Sequence, residues 1–180
     1  MQRVLIANRG EIAERILRAC HAEGLEAVMV YSQADSGLAY LGRAERAVCI
    51  GPPAAAQSYL SVDTILMTAL GTGCDAIHPG YGFLSENASF ARRCAEHGLQ
   101  FIGPDAETIE LMGDKIAGRT TAERHGVPVV PGSHASLDDA ETAIREANLI
   151  GYPLLIKATG GGGGRGMRVV ASESELHSAI

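Results

Sequence analysis

The first third of the chain alternates between two hydrophobic periods, and that alternation limits the fold more than any other feature. Residues 4–7 form a short, unbroken apolar run. It ends at Asn8-Arg9-Gly10, and Ile12, Ile16, Leu17 and Ala19 then recur at helical spacing, which predicts a helix over 11–22. Gly24 stands where a C-cap belongs, and residues 27–31 are a second β-type run. A strand, a helix and a strand of these lengths make the crossover unit of a parallel sheet. The same rhythm continues: a third strand near 47–50, a helix to about Leu70 that Ser61 is placed to cap, and a fourth strand over 75–77. A helix over 86–96 with Ser85 as N-cap and a brief strand at Phe101-Ile102 follow. Residues 1–104 therefore read as a doubly wound α/β domain.

The rhythm then changes. Helices are predicted over 106–112 and 115–124, with Gly113-Asp114 as the break between them. Pro128 and Pro131 mark 127–130 as an edge strand or a linker. Ser136, with Asp139 three residues on, is placed to open a helix over 137–148, and Ser172 with Glu175 to open another. Between these last two lies Gly-Tyr-Pro-Leu-Leu-Ile-Lys-Ala-Thr, then Gly160 to Gly164, Arg165, Gly166 and the apolar run Met167-Arg168-Val169-Val170. Five consecutive glycines are costly to order. Such a run suits a loop whose bare backbone N–H groups face an anion, and Lys157 and Arg165 add positive charge. The alternative, a flexible linker, has no serine padding here and is flanked closely by β-favouring residues. Gly161, Gly163 and Gly166 match the spacing Gly-x-Gly-x-x-Gly, but a dinucleotide site needs a helix after it, and here a strand follows. The glycines are expected at the tip of a hairpin.

Composition excludes several classes. Hydrophobic residues at 46% and charged residues at 20% are those of a globular chain, and a net charge of −6 with no basic run argues against nucleic acid. No apolar run approaches a membrane span, and no signal peptide is visible. Cys20, Cys49, Cys74 and Cys94 lie far apart, as reduced and mostly buried thiols of a cytoplasmic protein would. Histidines 21, 97, 125, 134 and 177 show no metal-ligand spacing and read as surface or loop residues. Asp35, just after the second strand, stands where a dinucleotide fold holds its ribose-binding acid, which keeps an NAD-type oxidoreductase as one reading. The turn from His78 to Phe83, beyond the carboxyl end of a strand, fits either a ligand contact or a rigid structural turn. Lys157, at a strand end beside bare backbone donors, is a phosphate partner; Lys115 alone would read as a solvated helix lysine.

Five motifs in order, Ile6-Ala7-Asn8-Arg9-Gly10-Glu11-Ile12-Ala13, His78 to Asn87, Phe101-Ile102-Gly103-Pro104, Met112-Gly113-Asp114-Lys115 and Lys157 to Val170, resemble biotin carboxylase. This is the ATP-grasp component of acetyl-CoA carboxylase, which serves fatty acid biosynthesis, and of relatives acting on other acyl-CoAs or pyruvate. The resemblance runs through the whole chain and covers the first part of a family member. It implies a Rossmann-like N-terminal domain over 1–112 and the start of an ATP-grasp domain over 113–180. The implied activity is ATP-dependent carboxylation of biotin on a carrier protein, with bicarbonate and Mg²⁺ or Mn²⁺, through carboxyphosphate. Lys115 and Lys157 match the family's ATP-binding lysines, and Gly161, Gly162, Gly163, Gly164, Arg165 and Gly166 its glycine-rich lid.

The resemblance further implies a biotin carboxyl carrier protein and a carboxyltransferase as partners, and pairing of two copies. Arg15 and Arg18 match helix residues of the family's dimer face, with Ala22 where an acid is expected. After the glycine loop only Glu173 and Glu175 are available as carboxylates, two positions apart, so neither catalytic nor metal residues are expected within these 180 residues. The chain alone is therefore expected to be inactive. A stand-alone nucleotide-binding or regulatory module that pairs with a full-length carboxylase is the competing reading.

Overall fold

The computed structural model describes residues 1–133, 137, 139–157 and 166–178. The chain divides into two units, Met1–Glu110 and Leu111–Ile180. In the first, β1 (Arg3–Ile6), β2 (Glu26–Tyr31), β3 (Arg46–Cys49), β4 (Ala76–His78) and β5 (Gln100–Phe101) form one parallel sheet in the order β3-β2-β1-β4-β5. Every pairing is parallel, with Leu5 opposite Val28 on one side and Ile77 on the other. The strand order reverses between β1 and β4. That is the topological switch point of a doubly wound sheet.

Both faces of the sheet are covered, which is why its central strands are apolar without alternation. On one face α1 (Gly10–Ala22) buries Ala13, Ile16, Leu17 and Cys20 against Val4, Ile6, Ala27 and Met29. On the other, α2 (Val62–Gly71) and α3 (Ala88–Glu96) pack Ile65, Leu66, Ala69, Phe90 and Cys94 against Leu5, Val28, Val30 and Ile77. Val4, Leu5, Ile6 and Ile77 are wholly buried. Two helix starts differ from expectation. The cap of α3 is Asn87, whose Oδ1 accepts from Phe90 N at 2.8 Å, because the residues at 81–86 stay in a turn and leave Ser85 outside the helix. Ser61 does precede α2, but its hydroxyl meets the Thr64 hydroxyl and caps no backbone N–H.

α4 (Ala106–Gly113) ends at the expected break. In the second unit α5 (Lys115–Arg124) starts under an Asp114 cap, whose carboxylate accepts from Ile116 N and Ala117 N at 2.8 and 2.9 Å. α6 (Ala140–Ile150) begins later than its sequence pattern suggests, since Asp139 is itself the cap; Ser136 lies outside the described residues. Residues 127–133 take no regular structure. β6 (Leu154–Lys157) and β7 (Met167–Val170) form an antiparallel hairpin, and α7 (Glu173–His177) follows under Ser172. Ala147 of α6, Val170 of β7 and Leu176 of α7 make a small core with Leu154 and Ile156.

Candidate phosphate-binding hairpin

The two faces of the β6–β7 hairpin differ. The register sets Leu154 opposite Val170 and Ile156 opposite Arg168, and Leu154, Ile156 and Val170 turn onto α6 and α7. The other face carries Leu155 opposite Val169 and Lys157 opposite Met167. Its apolar residues are uncovered: Leu155 is 45% exposed, Met167 48% and Val169 68%. A strand pair apolar on both faces is built to be covered on both. Lys157 ends β6 on this open face, and Gly166, at φ +70°, leads into β7 beside it. The structure thus brings Lys157 and Gly166 to one hairpin mouth. Gly161, Gly162, Gly163, Gly164 and Arg165, also assigned to the loop from sequence, lie outside the described residues.

Lys115 is held on a separate element. It is the first residue of α5, directly after the Asp114 cap, and it is exposed. The two backbone N–H groups of Ala117 and Ile116 hold the Asp114 carboxyl below the usual aspartate range. A cation at a helix N-terminus opposes the macrodipole. Sequence reasoning did not single out the exposed apolar face formed by Leu155 and Met167. The signal was the run Leu154-Leu155-Ile156, whose lack of alternation pointed to apolar cover on both faces without naming the cover.

At the switch point of the first unit, the two motifs that flank it are bound to each other. Asn8, 3% exposed, donates from Nδ2 to the carbonyls of Pro79 and Tyr81 at 2.7 and 2.8 Å, and its Oδ1 accepts from Arg9 N. Gly80 has φ +66°, and a Cβ there would stand 2.8 Å from Asn8 Nδ2. Glycine is required by both constraints. Tyr81 donates its hydroxyl to Glu11. The rigid-turn reading of 78–83 is the one these contacts satisfy.

Asp35 is likewise occupied. Its Oδ2 accepts from the Tyr59 hydroxyl and the Ser32 hydroxyl, both at 2.7 Å, and lies 3.5 Å from Arg9 Nη1. Burial opposes its ionisation, but the Tyr59, Ser32 and Arg9 donors outweigh it and hold the carboxyl below its usual range. Tyr59 stacks on Phe83 with centroids 4.9 Å apart, and the Arg9 guanidinium lies 5.4 and 5.6 Å from the two rings. The acid that a ribose would need is consumed by its own domain. That removes the basis for a dinucleotide reading.

The sequence of 1–109 matches the model of the biotin carboxylase N-terminal domain. The chain belongs to the biotin carboxylase family. Residues 114–180 match the ATP-binding domain of the carbamoyl-phosphate synthase large chain. The chain is 56% identical to the biotin carboxylase of Pseudomonas aeruginosa, over 98% of its own length and 39% of that protein's. It is 52% identical to biotin carboxylase 1 of Bacillus subtilis, over its full length and 40% of the relative. Among solved structures, biotin carboxylase from Campylobacter jejuni in complex with a β,γ-ATP ligand superposes with a TM-score of 0.95 at 49% identity, covering 99% of this chain and 40% of that one. The biotin carboxylase domain dimer of Hydrogenobacter thermophilus 2-oxoglutarate carboxylase, with MgADP, ADP and bicarbonate, gives 0.93 at 48%, covering 98% and 39%. The chain thus spans about two fifths of the relatives it matches. A doubly wound α/β fold is common to them, and no helix among the described residues is long and apolar enough to cross a membrane.

Proposed function

We propose that this chain forms the N-terminal part of an enzyme that carboxylates biotin on a carrier protein, using ATP and bicarbonate. The observation that carries the reading is the 56% identity to a biotin carboxylase along 98% of the chain. Residues 1–112 act as the scaffold domain and residues 113–180 as the first part of the ATP-grasp domain. Lys157 and Lys115 neutralise phosphate charge, and Gly161, Gly162, Gly163, Gly164, Arg165 and Gly166 close over the phosphates through backbone N–H groups. Leu155 and Met167, on the open face beside Lys157, offer an apolar platform for the base. ATP supplies the phosphoryl group that converts bicarbonate into an activated carboxyl donor.

A divalent cation belongs to this chemistry, but the carboxylates after the hairpin do not fit one. Glu173 accepts from Asn148 Nδ2 at 3.1 Å and Glu175 from Ala171 N at 2.9 Å, so both fasten α7. A biotinylated carrier and a carboxyltransferase complete the pathway of the carboxyl group, and two copies pair as in the Hydrogenobacter dimer.

The test is a chimera in which these 180 residues replace the corresponding part of the Pseudomonas relative. Bicarbonate- and biotin-dependent ATP cleavage is expected from the chimera and is lost in its Lys157→Ala form. A folded chimera that binds ATP but shows no bicarbonate-dependent turnover would contradict the proposal.

A further inference from the structure

The turn after β4 holds one strained residue. Among the described residues Phe83 alone, glycines apart, has a positive φ, at +41°. In that left-handed region a Cβ crowds the carbonyl that follows, and a bulky residue stays there only where its surroundings hold it. Gly82, just before it, has φ +69°, and a Cβ there would meet nothing within 4 Å.

Both ends of this pair are fixed. Upstream, the Tyr81 carbonyl accepts from Asn8 Nδ2 at 2.8 Å. Downstream, Leu84 is buried, and the Phe83 ring is held by the Tyr59 stack and the Arg9 guanidinium, both tied to Asp35. With the ring held, the strain has one local route to relax, rotation of the Gly82–Phe83 peptide plane between two anchored Cα atoms. That rotation turns ψ of Gly82 and φ of Phe83 together by about 180°, and carries Phe83 into the extended region.

One hydrogen bond opposes it. The Gly82 carbonyl accepts from Ser85 N at 2.9 Å, and a flip breaks this bond as it removes the strain, two contributions of similar size. With the carbonyl turned toward Ser85, the Phe83 N–H on the other side of the plane turns away and has no partner among the described residues. After a flip the carbonyl takes its place.

We infer that the Gly82–Phe83 peptide is a two-state switch at the carboxyl edge of the sheet, presenting a donor N–H in one state and an acceptor carbonyl in the other. That edge, where the strand order reverses, is where open α/β sheets hold ligands. A ligand with an acceptor group there holds the present state, and one with a donor selects the flipped state. The ring stays in its slot in both, so the turn keeps its contacts with Asn8 and Arg9 while one peptide moves. The switch lies in the first unit and does not depend on where a nucleotide binds.

Relaxation-dispersion NMR of the isotopically labelled 180-residue chain tests this. Microsecond-to-millisecond exchange is expected at the amides of Phe83 and Ser85, with a minor-state Phe83 Cα shift typical of extended backbone. For φ near +69°, at most one of two ψ values half a turn apart is open to an L side chain. Gly82→Ala therefore leaves a single state and should abolish the exchange. Phe83→Gly removes the strain and keeps the Ser85 bond, so the minor population should fall about fivefold or more, the left-handed cost written as a ratio. Flat profiles at both amides in the wild type, or a minor-state Cα shift that stays left-handed, would overturn the proposal whether or not the variants fold. So would exchange that persists in Gly82→Ala, or a minor population that Phe83→Gly leaves unchanged or raises.

Discussion

Asn8 shows how much a single side chain can settle about this sheet. It joins the turn after β1 to the turn after β4 through two hydrogen bonds, at a place where a nucleotide-binding sheet would leave a crevice. Asn8→Ala should destabilise the first unit by about 1–3 kcal/mol, because two carbonyls lose their donor in a buried setting. Urea unfolding followed by signals of α1 measures this; a loss near zero would mean that water replaces the amide. Asp35 adds a pH dependence. Its folded pKa is depressed, so its contribution is present above the ordinary aspartate value of about 3.9 and is lost as pH falls through the folded value. Asp35→Asn should therefore lower stability at neutral pH and flatten its acid limb, as acid titration of the two proteins can establish. The thiols divide by burial. Cys49 is exposed, whereas burial pushes Cys94 up to about 12 and raises Cys20 and Cys74. A thiol reagent should label Cys49 first and reach the others only on unfolding. Rapid labelling of Cys94 in the native protein would contradict the packing of α3.

At the scale of elements, the sheet was legible because its strands and helices carry different periods. The unbroken run at 4–7 and the spacing of Ile12, Ile16 and Leu17 could support little else. Helix starts were less legible. Asn87 and Asp139 compete with nearby serines for the cap, and only the turn geometry upstream selects the winner. The roles of Asp35 and of the 78–83 turn were not legible at all, since Tyr59 and Asn8 reach them from distant sequence positions. The hairpin was foreseen, but not which face would hold Lys157. Its open face leads to a prediction: Lys157→Ala in the chimera should cost about 1.5–3 kcal/mol of ATP binding, one charge-assisted contact. Calorimetric titration decides it, and unchanged affinity would remove Lys157 from the phosphates.

At the scale of the whole molecule, the two units are built differently. The first has the order and switch point of a nucleotide-binding fold, yet its own side chains fill the place where a dinucleotide would lie. The second has a small core under one face of a hairpin and leaves the other face, with Lys157, open. We propose that the nucleotide goes to that face and not to the sheet. Amide hydrogen exchange of the chimera, with and without a non-hydrolysable ATP analogue, tests it most directly. Slower exchange is expected at 154–157 and 166–170, with residues 8–12 and 78–83 unchanged. Protection of the switch-point segments with the hairpin unaffected would contradict the assignment and restore the sheet as the nucleotide site.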